Sequence, residues 1–266
     1  MAQILAQGDT ALRSSPASAL PAPGVVHVER AAQQISMRVR ASGIAMVVRS
    51  KPGDSDPTIP PQFATALRGI SPHFTRLRHQ GDTILLLNIS GAPMSECTEE
   101  VKECCTRLLA QRTEESSPVC HIGIGLLQEG PDALLRSYNE AMIAVNLIQR
   151  LSPDTSEVGR YDELVVPRLL RHLADTDPQS AQELLARTVW PLLSYDEQHG
   201  VGLMLTLETW LAAHCSTDDT AKRLFVHRHT VHYRLQKIYS LTGRDPRMHD
   251  DREALSLGIK LHRLTY

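Results

Sequence analysis

The chain has 266 residues, 42% hydrophobic and 22% charged, with a net charge of −2. That length suits two domains of ordinary size, and the balance of apolar and charged groups excludes a wholly disordered chain. No apolar run approaches the roughly 18 residues that span a bilayer, and the N-terminus lacks the basic and apolar regions of a signal peptide, so a membrane protein and a secreted one are not expected.

In chain order, residues 1–28 are rich in Ala, Ser, Pro and Gln and read as a flexible tail. Residues 34–50 alternate in the manner of a strand, with Ile44 to Val48 a short buried run that Lys51-Pro52-Gly53-Asp54 breaks. Residues 61–69 read as a short helix. Thr83 to Ile89 (TILLLNI) reads as a central strand, and Gln80-Gly81-Asp82 before it signals a hairpin. Residues 95–111 are helical, because Val101, Cys105, Leu108 and Leu109 recur on one face. Val119 to Leu126 is a strand of small residues. Residues 131–151 form an amphipathic helix with Leu135, Ala141, Ile143, Val145 and Ile148 among its apolar positions. Strands alternating with helices predict an α+β layer domain over residues 29–162.

After Asp162 the strand pattern stops. Helices are predicted at 163–174, 178–192, 195–214, 217–225, 228–241 and 250–264, giving an all-α domain over residues 163–266. Ser216 or Thr217 suits the N-cap of the 217–225 helix, with Asp218 and Asp219 in its first turn, and Gly243 suits a helix stop. From Lys222 to Arg244 there are six cations and no Asp or Glu. Residues 205–266 carry ten Lys/Arg against seven Asp/Glu, whereas the remainder carries eighteen against twenty-three, so the net charge conceals a basic C-terminal end.

On a wheel of 100° per residue, Val231, Leu235 and Ile238 make one buried stripe. His229, His232, Tyr233, Gln236 and Ser240 lie opposite, and Arg228, Arg234 and Lys237 lie between. Cations at the flanks meet phosphates and polar groups on the leading face reach base edges, so the pattern points to double-stranded DNA. Ala221 suits close helix packing, and Leu224 and Val226 complete a small core. Arg228, His229, His232, Tyr233 and Gln236 are the base-facing candidates. Thr217, Thr220, Arg223, Thr230, Arg234 and Lys237 are the phosphate candidates.

The Thr220-Ala221 pair, LFVHRHTVHYRLQKI (Leu224 to Ile238) and LTGRDP (Leu241 to Pro246) resemble the C-terminal helix-turn-helix of the PucR/CdaR family of bacterial transcription regulators. The likeness covers roughly the last 60 residues, within a core of 203–266, and extends to the Fis-type helix-turn-helix through Leu224, Val226, Val231 and Leu235. The family commonly has Asn where this chain has His229. Many of its members carry a GGDEF-like domain ahead of this region. Residues 34–162 are similar to that domain in RSYNEAMIAVNLI (Arg136 to Ile148), VCHIGIG before it and GRYDELVV after it. The resemblance implies a ferredoxin-like sheet domain and control of catabolic or secondary-metabolism genes, polyketide synthesis among them. A cytoplasmic homodimer is expected because one module of this size covers limited surface, and the first domain is expected to be a folded spacer, a dimerisation surface or the sensor of a small-molecule effector.

An active nucleotide cyclase is not expected. Its hairpin would fall at Arg78 to Thr83, where Gln80 replaces a glycine and Thr83 an acid, and Asp82 alone does not assemble a two-metal site. No cofactor and no metal are expected. His229 and His232 are helical neighbours, but His227 is expected to point away from both. Cys97, Cys104, Cys105, Cys120 and Cys215 show no CxxC or zinc spacing and read as free thiols of a reducing compartment. Gly123 and Gly125 read as small strand residues rather than half of a nucleotide fingerprint, Ser137 has no base beside it for nucleophilic catalysis, and Trp190 and Trp210 read as core anchors. The alternative from another class is a sensor or dimerisation protein that binds no DNA itself.

Overall fold

The computed structural model describes residues 42–50, 61–72, 74–89, 94–110, 119–130 and 132–266. The expected tail at 1–28, the alternating residues 34–41 and the break at Lys51 to Asp54 lie outside them. Five strands form one sheet: β1 (Ser42–Ser50), β2 (Phe74–His79), β3 (Asp82–Ile89), β4 (Cys120–Ile124) and β5 (Glu157–Arg160), in the order β2-β3-β1-β4-β5. β1 pairs antiparallel with β3 and β4, β2 pairs antiparallel with β3, and β4 pairs parallel with β5. The run Ile44 to Val48 is central and buried on both faces, which is why it lacks a polar alternation. β2 and β5 carried no clear periodicity. They are short, partly exposed strands at the sheet edges, where pairing rather than apolar content defines them.

Helices α1 (Pro61–Ile70) and α2 (Met94–Ala110) cover one face, and α3 (Ala133–Leu151) covers the other. The buried side of α3 differs from the expected stripe. Leu134, Tyr138, Ala141, Val145 and Ile148 face inward, and Ile143 stands exposed. α3 sits very close to the sheet because Gly123 and Gly125 lack side chains. A Cβ on Gly125 would lie 1.9 Å from the Ser137 carbonyl oxygen, and one on Gly123 would lie 2.2 Å from that of Ala141. Ser137 is therefore structural, its Oγ accepting the Ala45 N–H at 2.8 Å in the buried seam.

A 3₁₀ turn (Tyr161–Leu164) leads into seven helices: α4 (Val165–Thr176), α5 (Pro178–Thr188), α6 (Trp190–His199), α7 (Leu203–Ala212), α8 (Thr217–Arg223), α9 (Arg228–Thr242) and α10 (His249–Thr265). The predicted 178–192 helix breaks at Val189. Pro191 has no N–H to continue the ladder but suits the first turn of a new helix, so α6 begins at Trp190. The predicted 195–214 helix breaks at Gly200 and Gly202, both left-handed at φ 62° and 76°. The Asp196 carboxylate then accepts the N–H groups of Leu203 and Met204 at 2.7 and 2.9 Å and caps α7. Trp210 anchors the helical core, whereas Trp190 stands at the surface. The two halves join through the C-terminal ends of α3 and α10. Arg150 donates to the Leu264 carbonyl at 3.1 Å, and Arg263 donates back to the Leu151 carbonyl at 2.7 Å.

Candidate nucleic-acid interface

α8 and α9 are built by short-range rules. The Ser216 hydroxyl accepts the Asp219 N–H at 3.2 Å and starts α8, whose acidic first turn faces the positive helix end. The connection to α9 is closed by the N–H groups of Leu224, Phe225 and Val226 on the carbonyls of Thr220, Lys222 and Ala221. His227 caps α9, its Nδ1 accepting the His229 N–H at 3.3 Å. Gly243, left-handed at φ 69°, ends it.

Within α9, Val231, Leu235 and Ile238 are buried in the helical core as the wheel predicts. Their burial turns Arg228, His229, His232, Tyr233 and Gln236 outward, all exposed, with Tyr233 59% accessible. Among the described residues, the side chains of His232, Tyr233 and Gln236 make no hydrogen bond. Arg228 makes only a 4.0 Å approach to Asp218. The five base-facing candidates thus share one accessible surface with hydrogen-bonding capacity to spare.

The phosphate candidates separate. Arg223 lies on the surface of α8, with one guanidinium N–H on the Ala212 carbonyl at 3.3 Å. Thr217 and Thr230 are half-buried in the first turns of α8 and α9. Lys237 folds back, its Nζ 4.5 Å above the Tyr195 ring on α6. Two candidates are corrected. Thr220 is fully buried and its hydroxyl donates to the Ser216 carbonyl at 2.6 Å, so it cannot meet a phosphate. Arg234 turns toward α7, donating to Thr206 Oγ1 at 3.0 Å, with its Nε buried. A long side chain flanking an apolar stripe reaches a neighbouring helix as readily as solvent. Lys222, omitted from the candidates, is exposed at the end of α8, with only Asp219 nearby at 3.4 Å.

Phe225 also escaped the periodicity argument, since a turn residue belongs to no stripe. It is 95% exposed and left-handed at φ 53°. For a bulky residue that backbone region costs on the order of 1 kcal/mol. His227 corrects another expectation. It does not point away from His229, because the two rings lie 4.9 Å apart, held by the cap. No group of three or more His, Cys, Asp and Glu among the described residues is arranged to hold a metal.

The cyclase-like hairpin has a different chemistry. Gln80 and Gly81 turn at φ 51° and 88°, the signs a tight two-residue hairpin needs. Asp82 is buried and already paired. Arg49 donates Nε and Nη2 to its two oxygens at 2.8 and 2.6 Å, and Nη1 to Asn146 and Gln149 of α3 at 2.6 and 3.0 Å. The guanidinium supplies the positive charge beside this carboxylate.

Residues 203–261 match the PucR C-terminal helix-turn-helix domain, and residues 21–147 match the GGDEF-like domain. The purine catabolism regulatory protein of Bacillus subtilis (strain 168) is 34% identical over 114 residues, 43% of this chain and 21% of that protein. The carbohydrate diacid regulator of Escherichia coli (strain K12) is 31% identical over 163 residues, 61% of this chain and 41% of that protein. The chain thus spans well under half the length of these two curated relatives. The crystal structure of a regulator of polyketide synthase expression from Bifidobacterium adolescentis aligns with a TM-score of 0.37 at 20% identity, over 88% of this chain and 91% of that one. Among the described residues, no helix is long and apolar enough to cross a membrane.

Proposed function

We propose that this chain, which belongs with the PucR-type regulators through its C-terminal domain and carries a GGDEF-like domain ahead of it, is a sequence-specific DNA-binding transcriptional regulator of the cytoplasm. One observation carries the reading. α9 buries Val231, Leu235 and Ile238 and leaves a contiguous polar face of Arg228, His229, His232, Tyr233 and Gln236 accessible. A helix held from behind in this way enters a major groove, with its N-terminal residues at base edges. Arg228 carries the paired donors that guanine takes, Gln236 carries the donor and acceptor that adenine takes, and the exposed Arg223 and Lys222 are the cations assigned to phosphates.

Several finer points belong to the same proposal. The division falls after residue 162, supported by the two sheet cores before it and by a helical core that lies after it apart from Leu147 and Leu151 at the end of α3. The protein acts as a homodimer on two half-sites, because one module of this size covers limited surface. The GGDEF-like domain senses a small molecule and catalyses nothing, and the Arg49–Asp82 pair supports the second of these points. The regulated genes are catabolic, as the names of the two curated relatives suggest, or serve secondary metabolism.

The test uses the full chain to enrich duplexes from a random-sequence pool, followed by gel shift. We expect a preferred sequence with inverted half-sites about one helical turn apart. Gln236→Ala should then lose about tenfold on the preferred duplex and little on random DNA. Equal losses on both would remove Gln236 from base reading. Failure to enrich any duplex would defeat the reading in favour of a sensor without DNA binding.

A further inference from the structure

Phe225 combines three features that set it apart from the rest of the fold. It exposes 95% of its surface, the highest among the large apolar residues of the described chain. It holds a left-handed backbone at φ 53°, which glycine or asparagine adopts with less strain. It stands between the exposed cations Lys222 and Arg223 at the end of α8 and Arg228 at the start of α9. Its neighbours in the turn behave differently. Val226 packs on the helical core, Leu224 is half-buried and His227 caps α9, so Phe225 is the one apolar side chain that the turn leaves exposed.

We infer that Phe225 is an apolar DNA contact, laid against the edge of the groove that α9 enters, where the hydrophobic surfaces are the C5-methyl of a thymine or the deoxyribose of the backbone. This rests on the DNA-binding reading above. The neighbouring cations bring the phosphates close and supply salt-dependent affinity. The ring adds a salt-independent part by excluding water from the apolar edge between phosphate and base. An aromatic at this place favours protein–DNA contact over protein–protein contact because cations flank it on both sides of the turn and its apolar sequence neighbours Leu224 and Val226 are half-buried, Val226 against the helical core, rather than exposed beside it.

The experiment compares the full wild-type chain with Phe225→Gly, Phe225→Asn and Phe225→Tyr on a duplex enriched by the wild type from a random pool, at several salt concentrations. Gly and Asn both suit the positive φ, so their melting temperatures should equal or exceed that of the wild type. Their affinity should fall about tenfold, as for the loss of roughly 60 Å² of ring contact, with the slope of log K against log salt unchanged. Phe225→Tyr should keep most of the affinity. A duplex with thymine replaced by uracil separates the two surfaces. An equal loss for the wild type with no further loss for Phe225→Gly assigns the methyl, and no effect of uracil assigns the sugar. Wild-type affinity in Phe225→Gly and Phe225→Asn overturns the inference while leaving DNA binding intact. A change in their oligomeric state without DNA overturns it in favour of a protein contact. A wild type that enriches no duplex overturns this inference together with the proposed function.

Discussion

Gln80 and Phe225 occupy matching places in the two halves of the molecule. Each is a non-glycine residue in the left-handed region, at φ 51° and 53°, and each is exposed at a tight turn. At Gln80 the reason is local, because the β2–β3 ladder twists and its two-residue hairpin demands positive φ on both central residues. The side chain there is polar and its exposure costs nothing. At Phe225 the connection between α8 and α9 also needs the bend, but the residue that bears it is apolar and in solvent. The arginines differ in the same way. Arg49 in the sheet domain is taken up by Asp82, Asn146 and Gln149, whereas Arg223 and Arg228 in the helical domain keep most of their donors toward solvent. Where polar groups bind one another they stabilise a fold, and where they stand unpartnered on one face they are positioned for something outside it.

The contrast can be broken most forcefully in the sheet domain. Gly125→Ala places a methyl against the α3 backbone, and we expect a loss on the order of 3 kcal/mol in urea unfolding. A near-neutral result would mean that α3 can lift from the sheet. Asp82→Ala strips Arg49 of its bidentate partner, and the loss should be about 2 kcal/mol, since the pair is partly solvated. DNA affinity should stay within twofold, and a larger change would tie the hairpin to the helix-turn-helix.

Smaller effects sharpen the outward-facing half. Arg223→Ala should lower the salt-dependence slope by about one, whereas Lys237→Ala should lower it by less, because its ammonium rests on Tyr195. Equal slopes for the two would show that Lys237 swings out on binding. The smallest effect concerns pH. The Ser216 hydroxyl, followed by Lys222, holds the Asp219 carboxyl below its ordinary range. A group depressed in the folded state stabilises above its unfolded pKa, and that contribution fades as pH falls through the folded value, here below about pH 4. Asp219→Asn should therefore narrow the stability difference between pH 5 and pH 3, measured by thermal melting.

Much of the candidate interface was legible from residue order. Val231, Leu235 and Ile238 sit at helical spacing, so burying them could only turn His232, Tyr233 and Gln236 outward. Gly243 and Ser216 marked helix ends because their conformational and capping roles are local. Gly200 and Gly202 offered a comparable stop signal that the Leu203, Leu207 and Trp210 stripe obscured. β2 and β5 were harder to see, since an edge strand is defined by a partner distant in sequence.

Local order thus determined what each helix does about its own axis, because the 3.6-residue period fixes which side chains share a face. Tertiary packing decided the fate of the long and polar side chains between those faces. Arg234 meets Thr206 across 28 residues, and Arg49 meets Asp82 across 33. A guanidinium or ammonium on a flexible stem takes whichever acceptor the assembled neighbours bring within reach, and no periodicity within one segment encodes where those neighbours will stand.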